Sequence, residues 1–220
     1  MKREILITSD GSTTIHLPEW NEQYHSKHGA IQEAYHVFIK SGLETVSAPE
    51  VSILEIGFGT GLNSFITLLE AEKNQQKTHY VGVEAYPVIK EEVACLNYVT
   101  QLKAKNHQNI FDKMHAISWN QQHQLTENFS LIKRQQFFQD INDKNIFDLI
   151  YFDAFGAEHQ AELWTIAIFE KMFTALKING ILVTYSAKGS VRRAMQEVGF
   201  VVERLPGPQG KREMLRAIKK

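Results

Sequence analysis

Residues 51–63 read V-S-I-L-E-I-G-F-G-T-G-L-N, a short apolar run ending in glycines at alternate positions, Gly57, Gly59 and Gly61. The run has the composition of a buried strand, and residues 62–72 have helical spacing. A strand that turns sharply into a helix over glycines leaves backbone N–H groups and a helix N-terminus facing a ligand. Open α/β sheets bind nucleotide-like cofactors in this way. The dinucleotide fingerprint needs a further Gly three residues after the second. Leu62 stands there, so the spacing argues against a nicotinamide dinucleotide. A ligand-free tight turn has no need of three glycines in five residues, which cost chain entropy.

The pattern around this loop alternates. A hairpin is expected over residues 5–8 and 13–17 about Asp10-Gly11, then a polar aromatic segment over 20–29 and a helix over 30–40 stopped by Gly42. Strands are expected at 53–56, 79–83, 129–133, 148–152 and 181–185. Helices are expected at 62–72, 87–96 with Pro87 in the first turn, 97–124, 163–176 and 191–197. Strands at 200–204 and 214–218, joined by a short loop, must be antiparallel. The expected fold is therefore α/β and Rossmann-like: a doubly wound, mostly parallel sheet with an antiparallel C-terminal hairpin. A small N-terminal extension (1–48) precedes the main domain (49–220).

The chain has 220 residues, 43% of them apolar, enough for a full core in one α/β domain. No apolar run is long enough for a membrane span and the N-terminus is too short in its apolar part for a signal peptide. The single cysteine, Cys95, excludes an intrachain disulfide and a cysteine zinc site, and is expected to be buried packing. A cytoplasmic location follows from these absences. The nine histidines show no zinc spacing, so no metal is expected; His25 and His28 lack a third partner. No nucleophile elbow and no P-loop lysine is present.

Behind the glycine loop, Glu84 closes the next strand, where a carboxylate can accept the ribose hydroxyls of a nucleoside. Asp140 follows the strand after that and can accept an adenine amino group. F-D-L-I-Y-F-D-A-F ends a central strand on Asp153, where ligands of such sheets bind; a buried aspartate is otherwise costly. The last 33 residues carry nine basic and three acidic side chains, a net +6, against −1 for the chain and so −7 for the rest. Either an anionic partner docks near this block or these are solvated basic ends of elements.

Several motifs together resemble the MnmC-type methyltransferase family: D-G-S-T-T (10–14), Y-H-S-x-H-G-A (24–30), H-V-F-I (36–39), E-I-G-F-G-T-G-L-N (55–63), F-D-A-F (152–155), L-W-T (163–165), K-G-S-V-R-R-A-M-Q-E-V-G-F (188–200) and K-R-E-M-L (211–215). The resemblance implies S-adenosylmethionine as cofactor, held by Glu55, Gly57, Gly59, Thr60, Gly61, Asn63, Glu84, Asp140 and Asp153. It implies methyl transfer to the aminomethyl group of a modified wobble uridine, giving 5-methylaminomethyl-(2-thio)uridine, with the anticodon region of tRNA as partner. Many members carry a fused flavin-dependent oxidase that prepares the amine. This chain resembles the stand-alone form, so a separate enzyme is expected to supply the aminomethyl-uridine.

In-line displacement at a sulfonium needs an aligned, unprotonated amine. Asp153 is the expected catalytic residue, orienting the amine and stabilising its charge. Phe155 either stacks on the uracil or packs in the core. Tyr24 and His25 are expected to close the acceptor side. Lys188, Arg192, Arg193, Lys211 and Arg212 are expected to contact tRNA phosphates. The alternatives are a methyltransferase of this fold acting on a small molecule or protein, and a non-catalytic binding module.

Overall fold

The computed structural model describes residues 2–220. The N-terminal hairpin forms as expected: β1 (Glu4–Ile7) pairs antiparallel with β2 (Thr13–Leu17), Ile5 opposite Ile15, and a short β3 (Glu22–Gln23) adds to β2. Helix α1 (Ala30–Ala34) continues as a π-helical stretch over Tyr35–Lys40. Gly42 ends it, where a Cβ would come within 2.4 Å of the Phe38 carbonyl oxygen.

The main sheet contains β4 (Glu50–Ile56), β5 (Lys77–Glu84), β6 (Gln122–Gln124), β7 (Phe129–Gln135), β8 (Phe147–Phe152), β9 (Leu176–Thr184), β10 (Phe200–Pro206) and β11 (Glu213–Lys219). Its order is β10-β11-β9-β8-β4-β5-β7-β6. Strands β7, β5, β4, β8 and β9 run parallel; β6, β10 and β11 are antiparallel to their neighbours. The helices are α2 (Leu62–Asn74), α3 (Lys90–Val93), α4 (Tyr98–Gln101), α5 (Gln108–Ala116), α6 (Ile166–Ala175) and α7 (Gly189–Glu197). The chain leaves β4 toward β5 on one side and later returns to place β8 on the other. The carboxyl ends of β4 and β8 therefore flank the topological switch point, where open sheets bind ligands.

Ile53, Leu54, Ile56, Leu149, Ile150 and Tyr151 are fully buried, as expected of central parallel strands covered on both faces. The two faces make two apolar clusters. Val37, Phe38 and Ile39 of the extension join Phe65, Tyr80 and Tyr151 in one of them. The extension thus shares its core with the main sheet.

Four sequence expectations are corrected. The helix expected over 87–96 forms only at Lys90–Val93: Ile89 is extended at its N-cap with the Glu92 side chain accepting its N–H, and the N–H groups of Cys95 and Leu96 bond three residues back to Glu92 and Val93 in place of α-helical bonds. The stretch 97–124 is broken into short helices by left-handed residues, Lys103 at φ 55° and Asn120 at φ 62°, and residues 122–124 pair with β7 instead. Leu163 and Trp164 lie in a 3-10 turn before α6, and Leu176 opens β9. Cys95, expected to be buried, is exposed.

Candidate active site

The glycine loop links β4 to α2. Gly57, Gly59 and Gly61 take φ of 88°, 49° and 72°, a backbone region that other residues rarely enter. A Cβ on Gly57 would also lie 2.5 Å from the Asp153 carbonyl oxygen, so the glycine lets the carboxyl ends of β4 and β8 close on each other. The loop's N–H groups are less free than the sequence implied. Gly57 and Phe58 both donate to the Val83 carbonyl at 3.0 Å, Gly61 donates to Phe58, and Gly59 donates to Glu84 at 3.1 Å.

Glu84 lies at the end of β5 with its second oxygen accepting the Tyr86 N–H at 2.9 Å. Both oxygens keep further lone pairs, and the residue stays partly exposed. Asp140 ends the 3-10 turn Phe138–Asp140 after β7 and is exposed. Tyr86 and Phe137, both exposed, form an edge-to-face pair at 6.0 Å at the carboxyl ends of β5 and β7.

Below the loop, Asn63 in the first turn of α2 donates from Nδ2 to Glu55 Oε1 at 2.9 Å and to Asp153 Oδ2 at 2.8 Å. Glu55 Oε2, Asn63 Oδ1 and the Tyr80 hydroxyl are buried without a partner. Burial first, and Asp153 second, hold the Glu55 carboxyl well above its ordinary pKa, against the bond from Asn63. Asp153 is raised to about 7, by burial first and by Glu33 second, with Asn63 and Lys211 acting the other way. Asp153 as a whole residue is partly exposed, while its carboxyl sits deep enough for burial to dominate its raised pKa.

Over this floor stands an aromatic wall. Phe155, half-buried, meets Tyr24 at 5.0 Å and Trp20 at 5.8 Å, both edge-to-face. Trp20 stacks on His159, which pairs with Glu22 at 3.2 Å. Tyr24 also covers Gly59, 3.1 Å from where a Cβ would stand. The Phe155 carbonyl accepts from Trp164 Nε1 and the Ala154 carbonyl from the Tyr185 hydroxyl, which fixes the segment after β8. His25 is turned away from this wall. Its ring nitrogens face the hydroxyls of Thr14 at 3.2 Å and Thr60 at 3.4 Å, and Tyr98 also donates to Thr60 at 2.9 Å. Burial lowers the His25 pKa to about 4, so it ties the extension to the glycine loop as a neutral ring.

Four of the nine cations of the basic block are held in ion pairs. Lys188 pairs with Glu158, Arg204 with Glu213, Arg216 with Glu203 and Lys211 with Glu33, while Lys219 is buried on the Leu176 carbonyl. Arg193 and Arg212 are exposed and Arg192 partly so, without an ion pair among the described residues. Leu215 of β11 pairs with Thr184 of β9, so the β10–β11 turn and the N-terminus of α7 share the sheet edge that carries Asp153. Sequence reading missed Trp20, Glu33, Tyr86, Phe137, His159 and Tyr185. Trp20 stands in the polar aromatic segment over 20–29; the others have no local signal.

Among the described residues no cluster of His, Cys, Asp or Glu is arranged to hold a metal, and no helix is long and apolar enough to cross a membrane. The donor-poor, carboxylate-rich floor fits a ligand bearing hydroxyl and amino donors and positive charge. It does not fit a phosphate, since no lysine or arginine follows the glycines.

Residues 97–220 match a family described as S-adenosyl-L-methionine-dependent methyltransferase. The chain is similar to proteins named tRNA 5-methylaminomethyl-2-thiouridine biosynthesis bifunctional protein MnmC. That of Cupriavidus metallidurans is 28% identical over 96% of this chain and 33% of the relative. That of Burkholderia mallei is 30% identical over 96% of this chain and 34% of the relative. The chain spans about a third of the length of these relatives. MNMC2 from Aquifex aeolicus shares the fold with a TM-score of 0.80, at 24% identity over 100% of this chain and 70% of the other. Spermidine synthase from Thermotoga maritima does so at 0.59, with 14% identity over 99% of this chain and 68% of the other.

Proposed function

Because the chain belongs to the S-adenosyl-L-methionine-dependent methyltransferase family, we propose that it transfers a methyl group to the aminomethyl group of a modified wobble uridine in tRNA, giving 5-methylaminomethyl-(2-thio)uridine. The observation that carries this reading is the Asp153 carboxylate at the switch point, tethered through one oxygen to Asn63; Asp153 stands two residues before Phe155, whose ring packs on Tyr24 and Trp20. A planar base beside a cationic amine suits an aromatic wall beside an acid.

The glycine loop, Glu84 and Asp140 would hold the cofactor, with Glu84 at its ribose hydroxyls. Bound S-adenosylmethionine supplies an electrophilic methyl on a sulfonium. Burial strengthens the hold of Glu55 on its proton, which favours Asp153 as the charged member of the pair. Asn63 fixes Asp153 Oδ2 and leaves Oδ1 for the acceptor. With a pKa near 7, Asp153 can take the proton that an alkylammonium must lose and pass it to solvent; the carboxylate so regenerated can then stabilise the charge that grows on nitrogen as the methyl leaves the sulfonium. Phe155 and Tyr24 would orient the base, and Arg192, Arg193 and Arg212 would meet phosphates.

Purified protein, S-adenosylmethionine and tRNA bearing 5-aminomethyl-2-thiouridine should yield the methylated nucleoside, read by mass analysis of the digested RNA. Recovery of only unmodified nucleoside would defeat the proposal. A second reading, a small free amine as acceptor, is favoured by the number of C-terminal cations already held in ion pairs. Methylation of the free nucleoside as fast as of tRNA would select it. The anticodon region as the RNA contact, a separate enzyme as source of the amine, and a cytoplasmic location belong to the same proposal.

A further inference from the structure

Lys211 stands apart from the rest of the basic block. Its ammonium pairs with Glu33 at 2.5 Å and lies 3.9 Å from the centre of the Tyr185 ring. The other Glu33 oxygen accepts the Ser26 N–H at 3.0 Å. Tyr185 in turn donates at 2.8 Å to the carbonyl of Ala154, the residue after Asp153. The turn that carries Lys211 is docked on the same side. His36 Nε2 lies 2.8 Å from the Pro206 carbonyl oxygen, and the His28 ring packs so close to Gly210 that a Cβ there would meet it at 2.5 Å. Two opposite charges, 178 residues apart in sequence, are thus brought together beside the acceptor side of the site.

We infer that Lys211 and Glu33 are a positioning pair for Asp153. Through Tyr185 and the Ala154 carbonyl they hold the segment that carries the carboxylate, and by their opposite charges they set the field it feels; Lys211 is not a phosphate contact. A lone lysine here would repel a cationic amine, and Glu33 neutralises it. The inference rests on the reading of Asp153 as the acid of the acceptor side. The groups facing Asp153 are Glu55 from β4, Asn63 from α2, Tyr80 from β5, Tyr185 after β9, Glu33 from α1 and Lys211 from the β10–β11 turn. Of these, Glu33 favours the protonated form of Asp153 and Lys211 the ionised form.

The test is a carbon-13 NMR titration of the full chain labelled at aspartate carboxyls, with Asp153→Asn identifying the resonance. Lys211→Met should raise the Asp153 midpoint and Glu33→Gln should lower it, each by about half a unit or more. The double variant should return toward wild type, and Lys211→Arg should keep the wild-type midpoint. The pH profile of single-turnover methylation should move in the same directions, while Lys211→Met keeps the tRNA salt slope of wild type. A merely structural pair would not give shifts of opposite sign. Shifts in the same direction, no shifts, or a salt slope lower by one unit in Lys211→Met would overturn the inference. Should Lys211→Met fail to fold, Glu33→Gln and Lys211→Arg decide it, since the first must lower the midpoint and the second must not. Wild-type methylation by Asp153→Asn would instead defeat the assigned role of Asp153, and the NMR shifts would still judge the pair.

Discussion

Asn63 Nδ2 lies 2.8 Å from Asp153 Oδ2, a bond that joins the first turn of α2 to the carboxyl end of β8 across the switch point. The same nitrogen is 2.9 Å from Glu55 Oε1. One amide thus spans two acids, and the two differ in what surrounds them. Glu55 is a buried residue, whereas Asp153 is partly exposed as a whole residue.

Asp153→Asn should fold and keep most of its affinity for S-adenosylmethionine, because the amide has nearly the same volume. Its single-turnover rate should fall by about 10²–10⁴, the range for losing a positioned proton acceptor or charge stabiliser. If proton removal is the main role, the deficit should shrink at high pH, where more amine is already neutral. Rapid-quench measurements across pH check this, and wild-type rates throughout would remove Asp153 from the chemistry.

Glu84→Ala should weaken S-adenosylmethionine binding tenfold or more, about 1.5–3 kcal/mol for hydrogen bonds to a charged group. Glu84 also accepts the Gly59 and Tyr86 N–H groups, so part of this loss will come from a looser glycine loop. Calorimetric titration gives the affinity, and an unchanged value would place the ribose elsewhere.

The triple variant Arg192→Ala, Arg193→Ala, Arg212→Ala should bind tRNA more weakly, with the salt slope reduced by roughly one for each phosphate no longer neutralised. Lys188→Ala should do less, since Glu158 already holds that ammonium at 2.7 Å. Filter binding over a range of salt concentrations decides it; an unaltered slope in the triple variant would mean that the charge step does not serve RNA.

Glu55→Gln should be close to neutral for stability near pH 5 and progressively stabilising above it. The folded chain holds the Glu55 proton to higher pH than the unfolded chain does. Folded protein therefore binds more protons above the unfolded pKa, about 4.3, and wild type loses stability as pH rises from there toward the raised folded value. Glutamine has no proton to lose. Urea melts of both proteins between pH 5 and pH 8 test the sign, and a difference that does not grow with pH would mean that Glu55 is ionised in the folded chain.

The sequence alone determined the elements whose signals are local. The glycine loop, the apolar runs of β4 and β8, the N-terminal turn at Asp10-Gly11 and the short link that makes β10 and β11 antiparallel are each written within a dozen residues, so chain sterics and periodicity suffice to read them. Glu84 and Asp153 were placed near the loop because strand ends of an open sheet have known positions, whereas Glu55 and Asn63 entered only through the family resemblance. What the tertiary structure decided depends on partners far apart in the chain. Arg3, next to β1, pairs with Glu92, which caps the shortened helix, Thr14 and Thr60 hold the His25 ring, and Glu33 takes Lys211 out of the basic surface. How strongly Glu55 and Asp153 hold their protons was likewise set by burial and by charges that the fold brings together, because the pKa of an acid depends on the water and charges around it and not on its neighbours in sequence.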